Sequence, residues 1–141
     1  MKIRKARESD GEKILELLNN SGNTANDELH YEDNHVMEYI KGKAFETFVC
    51  EIDGKIVGVI MANIFPIAKY AEMYNIAIDE NYKRKGIGLK FADFLEDHLK
   101  RIGISIVYGY VNEDNKPSRN LVKKTGYKEG KRIIFYSKIL K

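Results

Sequence analysis

Residues 72–111 narrow the fold more than any other part of this chain. "EMYNIAI" (Glu72 to Ile78) reads as a strand and is followed by the basic glycine turn "DENYKRKGIG" (Asp79 to Gly88). A helix then places Ile87, Phe91, Phe94, Leu95 and His98 on one face, until Gly103 stops it. "ISIVYGYV" (Ile104 to Val111) follows as a near-continuous β-prone run, the pattern of a strand covered on both faces. A strand, a helix and a second strand in this order demand parallel neighbours joined by a right-handed crossover.

The flanking sequence extends that unit into a mixed α/β class. Ile3 to Ala6 forms a short strand in this reading, and Ser9 with Glu12 has capping-box spacing ahead of the apolar Ile14, Leu17 and Leu18. "HVMEYI" gives a second short helix. "TFVCEI" and "KIVGVIMANIF" flank Asp53-Gly54, a pairing that favours a tight antiparallel hairpin. After residue 111, Asn115 is placed to cap a helix with Pro117 in its first turn and Gly126 beyond its end. "RIIFYSKIL" closes the chain as an expected last strand. The sheet is therefore central, mixed and mostly antiparallel, with a locally parallel strand-helix-strand core and helices on both faces. No repeat or linker interrupts residues 1–141, so a single domain is expected.

Composition excludes several functions. The net charge of +3, from 24 basic and 21 acidic residues, is too small to indicate a nucleic-acid protein, so any basic effect is local. One cysteine, Cys50, rules out an intrachain disulfide and a cysteine-rich zinc site. His30 and His35 are five apart without a convincing third ligand, and no metal is expected. The start "MKIRKARESD" lacks a signal-peptide core, and "IVGVIMA" is too short to span a bilayer, so a cytoplasmic protein without a membrane partner is expected.

In the basic turn, Lys83, Arg84 and Lys85 crowd a helix N-terminus, where the macrodipole disfavours cations. An anion bound there reverses the sign. A dinucleotide fingerprint needs a third glycine where this chain has Phe91, and a Walker A loop needs four residues between its glycines. A pyrophosphate held by backbone amides fits better, because Gly86 and Gly88 let the main chain approach closely. A solvated basic turn is the alternative for an isolated Gly-x-Gly; its position between a strand and an amphipathic helix favours the anion.

At these residues the chain resembles the GCN5-related N-acetyltransferases. "YNIAIDENYKRKGIGLKFADFLEDHL" is similar to their acetyl-CoA-binding strand, basic turn and helix, and "NEDNKPSRNLVKKTGYKEG" to the segment that follows. "IRKARESDGEKILELL" is similar to the usual opening of the fold, and "NIAI" stands nearest the branch that acetylates ribosomal-protein N-termini. The resemblance implies acetyl transfer from acetyl-CoA directly to a primary amine of a peptide, protein or small molecule. It implies a pantetheine arm along Ile76, Ala77 and Ile78, and a pyrophosphate on the amides from Arg84 through Gly86, Ile87 and Gly88 to Leu89, with the Lys83, Arg84 and Lys85 charges around it. Asn115 matches the family asparagine near the pantetheine, with helix capping as its other reading. Lys83 departs from the usual Arg/Gln and lacks the planar fork.

A lysyl amine (pKa about 10.4) must lose a proton to attack, whereas an N-terminal amine (about 8) is already partly neutral. Glu72 matches the position of a base glutamate; a solvated strand-end carboxylate is its alternative. Its spacing from Tyr74, Ile76 and Ile78 puts all four on one side of a regular strand, a parity that a bulge would break. Tyr110 is placed to protonate the leaving thiolate, or else to pack as an aromatic. The ribosomal branch would have its acid tyrosine where this chain has Val122, which cannot donate a proton; either Tyr110 or Tyr136 takes that role, or the thiolate leaves without help. Cys50 lies in an apolar strand and reads as core, which favours direct transfer over a covalent enzyme. The polar stretch 19–35, with Asp27, Glu28, Glu32 and Asp33, is the expected acceptor side. A non-catalytic acyl-CoA sensor is the competing reading, a nucleic-acid module through the basic patch ranks below it, and a homodimer stays open.

Overall fold

The computed structural model describes residues 1–21 and 32–140. In chain order it contains β1 (Lys2–Lys5), α1 (Gly11–Asn20), α2 (Asp33–Lys41), β2 (Phe45–Ile52), β3 (Lys55–Phe65), β4 (Tyr70–Ile78), α3 (Ile87–Arg101), β5 (Ile106–Gly109) and α4 (Lys116–Lys124). Single 3-10 turns at Glu8–Asp10 and Glu80–Tyr82 lead towards α1 and α3.

The five strands form one sheet in the order β1-β2-β3-β4-β5. Its first three pairings are antiparallel and β4–β5 is parallel. The β2–β3 hairpin closes at Asp53 (φ 49°) and Gly54 (φ 74°), both left-handed, which is the turn whose twist matches that of the strands. Each face carries its own core. α3 lays Ile87, Phe91, Leu95 and Leu99 against Phe48, Cys50, Val57 and Ile60. α1 and α2 cover the opposite face, where Ile14, Leu17, Leu18 and Val36 meet Val49, Val59 and Met61. The expected α/β class, the crossover and the helices on both faces are present.

Three local expectations are corrected. Asp10, not the Ser9–Glu12 pair, organises the start of α1: its Oδ2 accepts the Arg7 amide at 2.8 Å, and its two oxygens take Arg4 Nη1 and Nη2 at 2.8 and 3.0 Å. The 3-10 turn at Glu8–Asp10 puts the start of α1 at Gly11, one residue beyond the capping-box reading. The run 104–111 forms only the four-residue β5, with Ile106 64% exposed, so it is not covered on both faces. The expected last strand is absent: residues 127–140 carry neither helix nor strand, and the large apolar side chains from Ile133 to Leu140 stand in solvent. β-propensity marks a segment that fits a sheet, but it supplies no partner.

Candidate active site

The turn before α3 is built from its own side chains. Asp79 Oδ1 accepts the Asn81 amide at 3.0 Å, and the Tyr82 amide returns to the Asp79 carbonyl at 2.8 Å. Arg84 (φ 61°) and Gly86 (φ 76°) then adopt left-handed conformations that swing the chain into α3. Gly86 is the N-cap and offers no side-chain cap, so the first-turn amides of Ile87, Gly88 and Leu89 are left for an external acceptor. A Cβ on Gly88 would stand 3.2 Å from a Leu121 methyl, which brings α4 against the start of α3. Two of the cations have local partners: Lys83 Nζ lies 2.6 Å from Glu80 Oε2, and Lys85 Nζ stands 5.0 Å over the Tyr82 ring. The glycines and the uncapped helix start fit a pyrophosphate, and Lys83 would have to leave Glu80 to neutralise it.

Beside this turn the sheet opens. β5 pairs with β4 only over Tyr70–Met73, while β4 continues to Ile78 along β3. The register slips where Met61 faces Asn75 but Ala62 faces Met73, which leaves Tyr74 as the extra residue of a bulge. The bend falls where β4 and β5 part, so Ile76, Ala77 and Ile78 line the wedge beyond β5. Ile76 and Ile78 pack towards α3, and Ala77 towards α1 and α2. Asn115 Oδ1 accepts the Ser118 amide at 3.2 Å and caps α4, so its capping reading holds.

The bulge also decides where Glu72 points. Cross-strand register aligns Glu72 with Asn63, Asn63 with Phe45, and Glu72 with Tyr108. These residues share the α2 side of the sheet, opposite Ile76 and Ile78, so the regular-strand parity is overturned. Aromatic rings border Glu72 on two flanks. Tyr39, Phe45 and Tyr74 form one cluster with centroids 4.8–5.5 Å apart, and the Tyr39 and Tyr74 hydroxyls are 3.3 Å apart. Phe65, Tyr70, Tyr108 and Tyr110 form a chain at 4.7, 5.5 and 5.9 Å. Glu72 is half-buried, has no ion-pair partner among the described residues, and burial raises its pKa. Burial, followed by the neighbouring Glu72 charge, raises the Tyr108 phenol as well.

A half-buried carboxylate on the strand that leads to the opened sheet and the uncapped helix start can accept a proton from an amine brought to a phosphate-bearing donor. Residues 6–127 match the family model described as the Acetyltransferase (GNAT) family. The chain belongs to that family.

This N-acetyltransferase, which uses acetyl-CoA and acts on an amine, has relatives of known name. An N-alpha-acetyltransferase of Sulfurisphaera tokodaii is 33% identical over 96% of this chain and 84% of its own. A [ribosomal protein bS18]-alanine N-acetyltransferase of Escherichia coli is 25% identical over 63% of this chain and 59% of its own. Among solved structures, that of the Escherichia coli ribosomal-protein-S18-alanine N-acetyltransferase superposes with a TM-score of 0.78 at 18% identity, covering 92% of this chain and 79% of that one. An aminoglycoside acetyltransferase from an uncultured soil metagenomic sample, in complex with sisomicin, gives 0.78 at 20% identity, covering 99% and 96%. These structural likenesses concern the fold.

The structure thus brings Lys83 to Leu89 together at one helix start, with Ile76 to Ile78 in the adjoining wedge, and Glu72 on the other face of β4. Tyr110 lies one residue beyond β5 and is 66% exposed, while Tyr136 is exposed in the C-terminal segment. Val122 lies within α4. Of the expected acceptor-side acids, Asp27 and Glu28 lie outside the described residues, as does His30, and Glu32 and Asp33 are exposed at the start of α2. Among the described residues no cluster of His, Cys, Asp or Glu could hold a metal, and no helix is long and apolar enough to cross a membrane. Cys50 is fully buried and burial raises its thiol pKa, as its core assignment requires. Sequence reading missed Tyr108, Asn63 and the Tyr39–Phe45–Tyr74 cluster. Strand parity would have found them, given the position of the bulge.

Proposed function

We propose that this enzyme acetylates a primary amine that arrives protonated on the aromatic-bordered face of β4, with Glu72 as its base. The observation that carries the reading is the half-buried carboxylate of Glu72, raised by burial and flanked by two aromatic groups. A raised carboxylate is a better proton acceptor near neutrality, and ring faces attract an ammonium before it is deprotonated.

Acetyl-CoA, when bound, supplies the acetyl group as a thioester. Arg84 through Leu89 would hold its pyrophosphate on backbone amides, with Lys83, Arg84 and Lys85 adding positive charge. Ile76, Ala77 and Ile78 would present main-chain groups along the wedge, as an added strand is recognised. Asn115 fixes the start of α4, which keeps Leu121 against Gly88 and so supports the same turn. Glu72 would take the proton from the incoming ammonium, directly or through one water, and Tyr110, one residue beyond β5, would return a proton to the departing sulfur. Buried Cys50 takes no part.

The test is thiol release from acetyl-CoA against peptides with free N-termini, lysyl peptides and polyamines. Turnover with at least one class is expected. Acetyl-CoA binding in a calorimeter with no turnover across the panel would replace this reading with a cofactor sensor.

A further inference from the structure

Asn63 of β3 stands directly opposite Glu72 of β4, and both side chains lie on the α2 side of the sheet. Both are half-buried. Among the described residues neither side chain has a hydrogen bond or an ion pair, and the two do not bond each other. Burial alone raises the Glu72 carboxyl, as befits a group that no charged or hydrogen-bonding neighbour reaches. Their surroundings on this face are largely aromatic. Phe45 is the cross-strand neighbour of Asn63, Tyr108 that of Glu72, and the paired Phe65 and Tyr70 lie two residues along. Polar groups drawn out of water are normally paired within the fold. Two adjacent exceptions in an aromatic surround have the character of a two-point binding site.

The halves of that site differ. An ionised carboxylate only accepts hydrogen bonds, whereas a carboxamide can also donate. Residues directly opposed across an antiparallel pair carry their Cβ atoms about 4.5–5.5 Å apart. A ligand that satisfies both must present an amine and, close beside it, a hydrogen-bond acceptor. The first residue of a peptide does so: its α-amine and its own carbonyl oxygen are about 3 Å apart, separated only by Cα and the carbonyl carbon. A lysyl ε-amine keeps its carbonyl at the far end of a flexible side chain, and an alkylamine or polyamine has none.

We propose that Asn63 is a specificity residue: its carboxamide nitrogen donates to the carbonyl oxygen of the acceptor's first residue while Glu72 receives the amine. The site then selects peptide α-amines over lysyl ε-amines. This inference rests on the reading of Glu72 as the group that meets the amine, and it gives Asn63 a part in binding and none in proton transfer.

The probes are a lysine-free tripeptide with a free N-terminus and an N-acetylated lysyl tripeptide. Each is titrated into the protein with coenzyme A in a calorimeter, and each is assayed for thiol release from acetyl-CoA. The wild type should favour the α-amine probe in both measurements. Asn63→Ala should weaken that probe by about 3–10-fold, through KM rather than kcat, and leave the lysyl probe within about 2-fold. Asn63→Asp keeps the shape of the side chain but, once ionised, cannot donate, so it should abolish the preference as well. A wild type without the preference, or one that binds neither probe, would overturn the proposal. So would a preference that survives both variants, or an equal loss for both probes, which would make Asn63 a part of the fold only. A preference in binding that Asn63→Ala removes, seen without any turnover, would sink the acetyl-transfer reading and leave the selection by Asn63 standing.

Discussion

Glu72 meets two opposed demands, since the burial that makes it a stronger base makes its charged form a burden on the fold. Its folded pKa is raised by burial. A raised carboxylate contributes stability below its unfolded value of about 4.3 and loses that contribution as pH rises through the folded value. At neutral pH the ionised Glu72 therefore costs stability. Glu72→Gln should raise Tm near pH 7, with the gain vanishing below about pH 4. The same variant should lower kcat/KM for a lysyl amine by about 10²–10⁴-fold at pH 7, less for an N-terminal amine, with the defect shrinking as pH rises. Paired melting curves and pH–rate profiles check both. An unchanged rate together with a higher Tm would leave Glu72 a buried carboxylate with no part in the chemistry. At this scale the sequence shows that Glu72 exists at a strand start, but not its neighbours, because the extra residue Tyr74 reverses parity within β4.

The elements differ in how far their own residues determine them. The β2–β3 hairpin and α3 are legible because Asp53-Gly54 and the spacing of Ile87, Phe91 and Leu95 each admit one arrangement. β5 is not, since its extent depends on a partner rather than on its own propensity. Two glycines test how elements meet. A Cβ on Gly58 of β3 would lie 2.7 Å from Cε2 of Phe91, a fully buried residue of α3. Gly58→Ala should therefore cost about 1–3 kcal/mol through overpacking, read as a lower urea midpoint. Gly86 faces open space, so alanine there is strained only by its φ of 76°. Gly86→Ala should cost about 1–2 kcal/mol. Gly86→Glu adds negative charge at the proposed phosphate turn and should lower acetyl-CoA affinity by more than about 100-fold, or roughly 2.7 kcal/mol, in calorimetry of the folded variant. Unchanged affinity there would place the pyrophosphate elsewhere.

Across the whole molecule, the order of strands and the parallel crossover are legible because few topologies join these elements without a left-handed connection. What binds the opening segment to the sheet is less so. Arg4 on β1 reaches both Asp10, ahead of α1, and Glu51 on β2, the latter through Nε to Oε2 at 2.9 Å. Its side chain is 15% exposed and that of Asp10 is 8% exposed, so this is a partly buried network rather than a surface pair. Hydrogen bonding to Arg4 is the largest cause of a lowered Asp10 pKa, opposed by burial and aided by the Arg7 amide. A depressed carboxylate contributes stability above its unfolded value, about 3.9, and loses it as pH falls through the folded value. Asp10→Asn leaves Arg4 with Glu51 alone and should cost about 3 kcal/mol at pH 7, the lower end for breaking a buried pair. Acid removes the same interaction from the wild type, so the two urea midpoints should converge as pH drops below about 4. A gap that stays constant from pH 7 to pH 2 would mean that Asp10 holds the start of α1 by shape and not by charge.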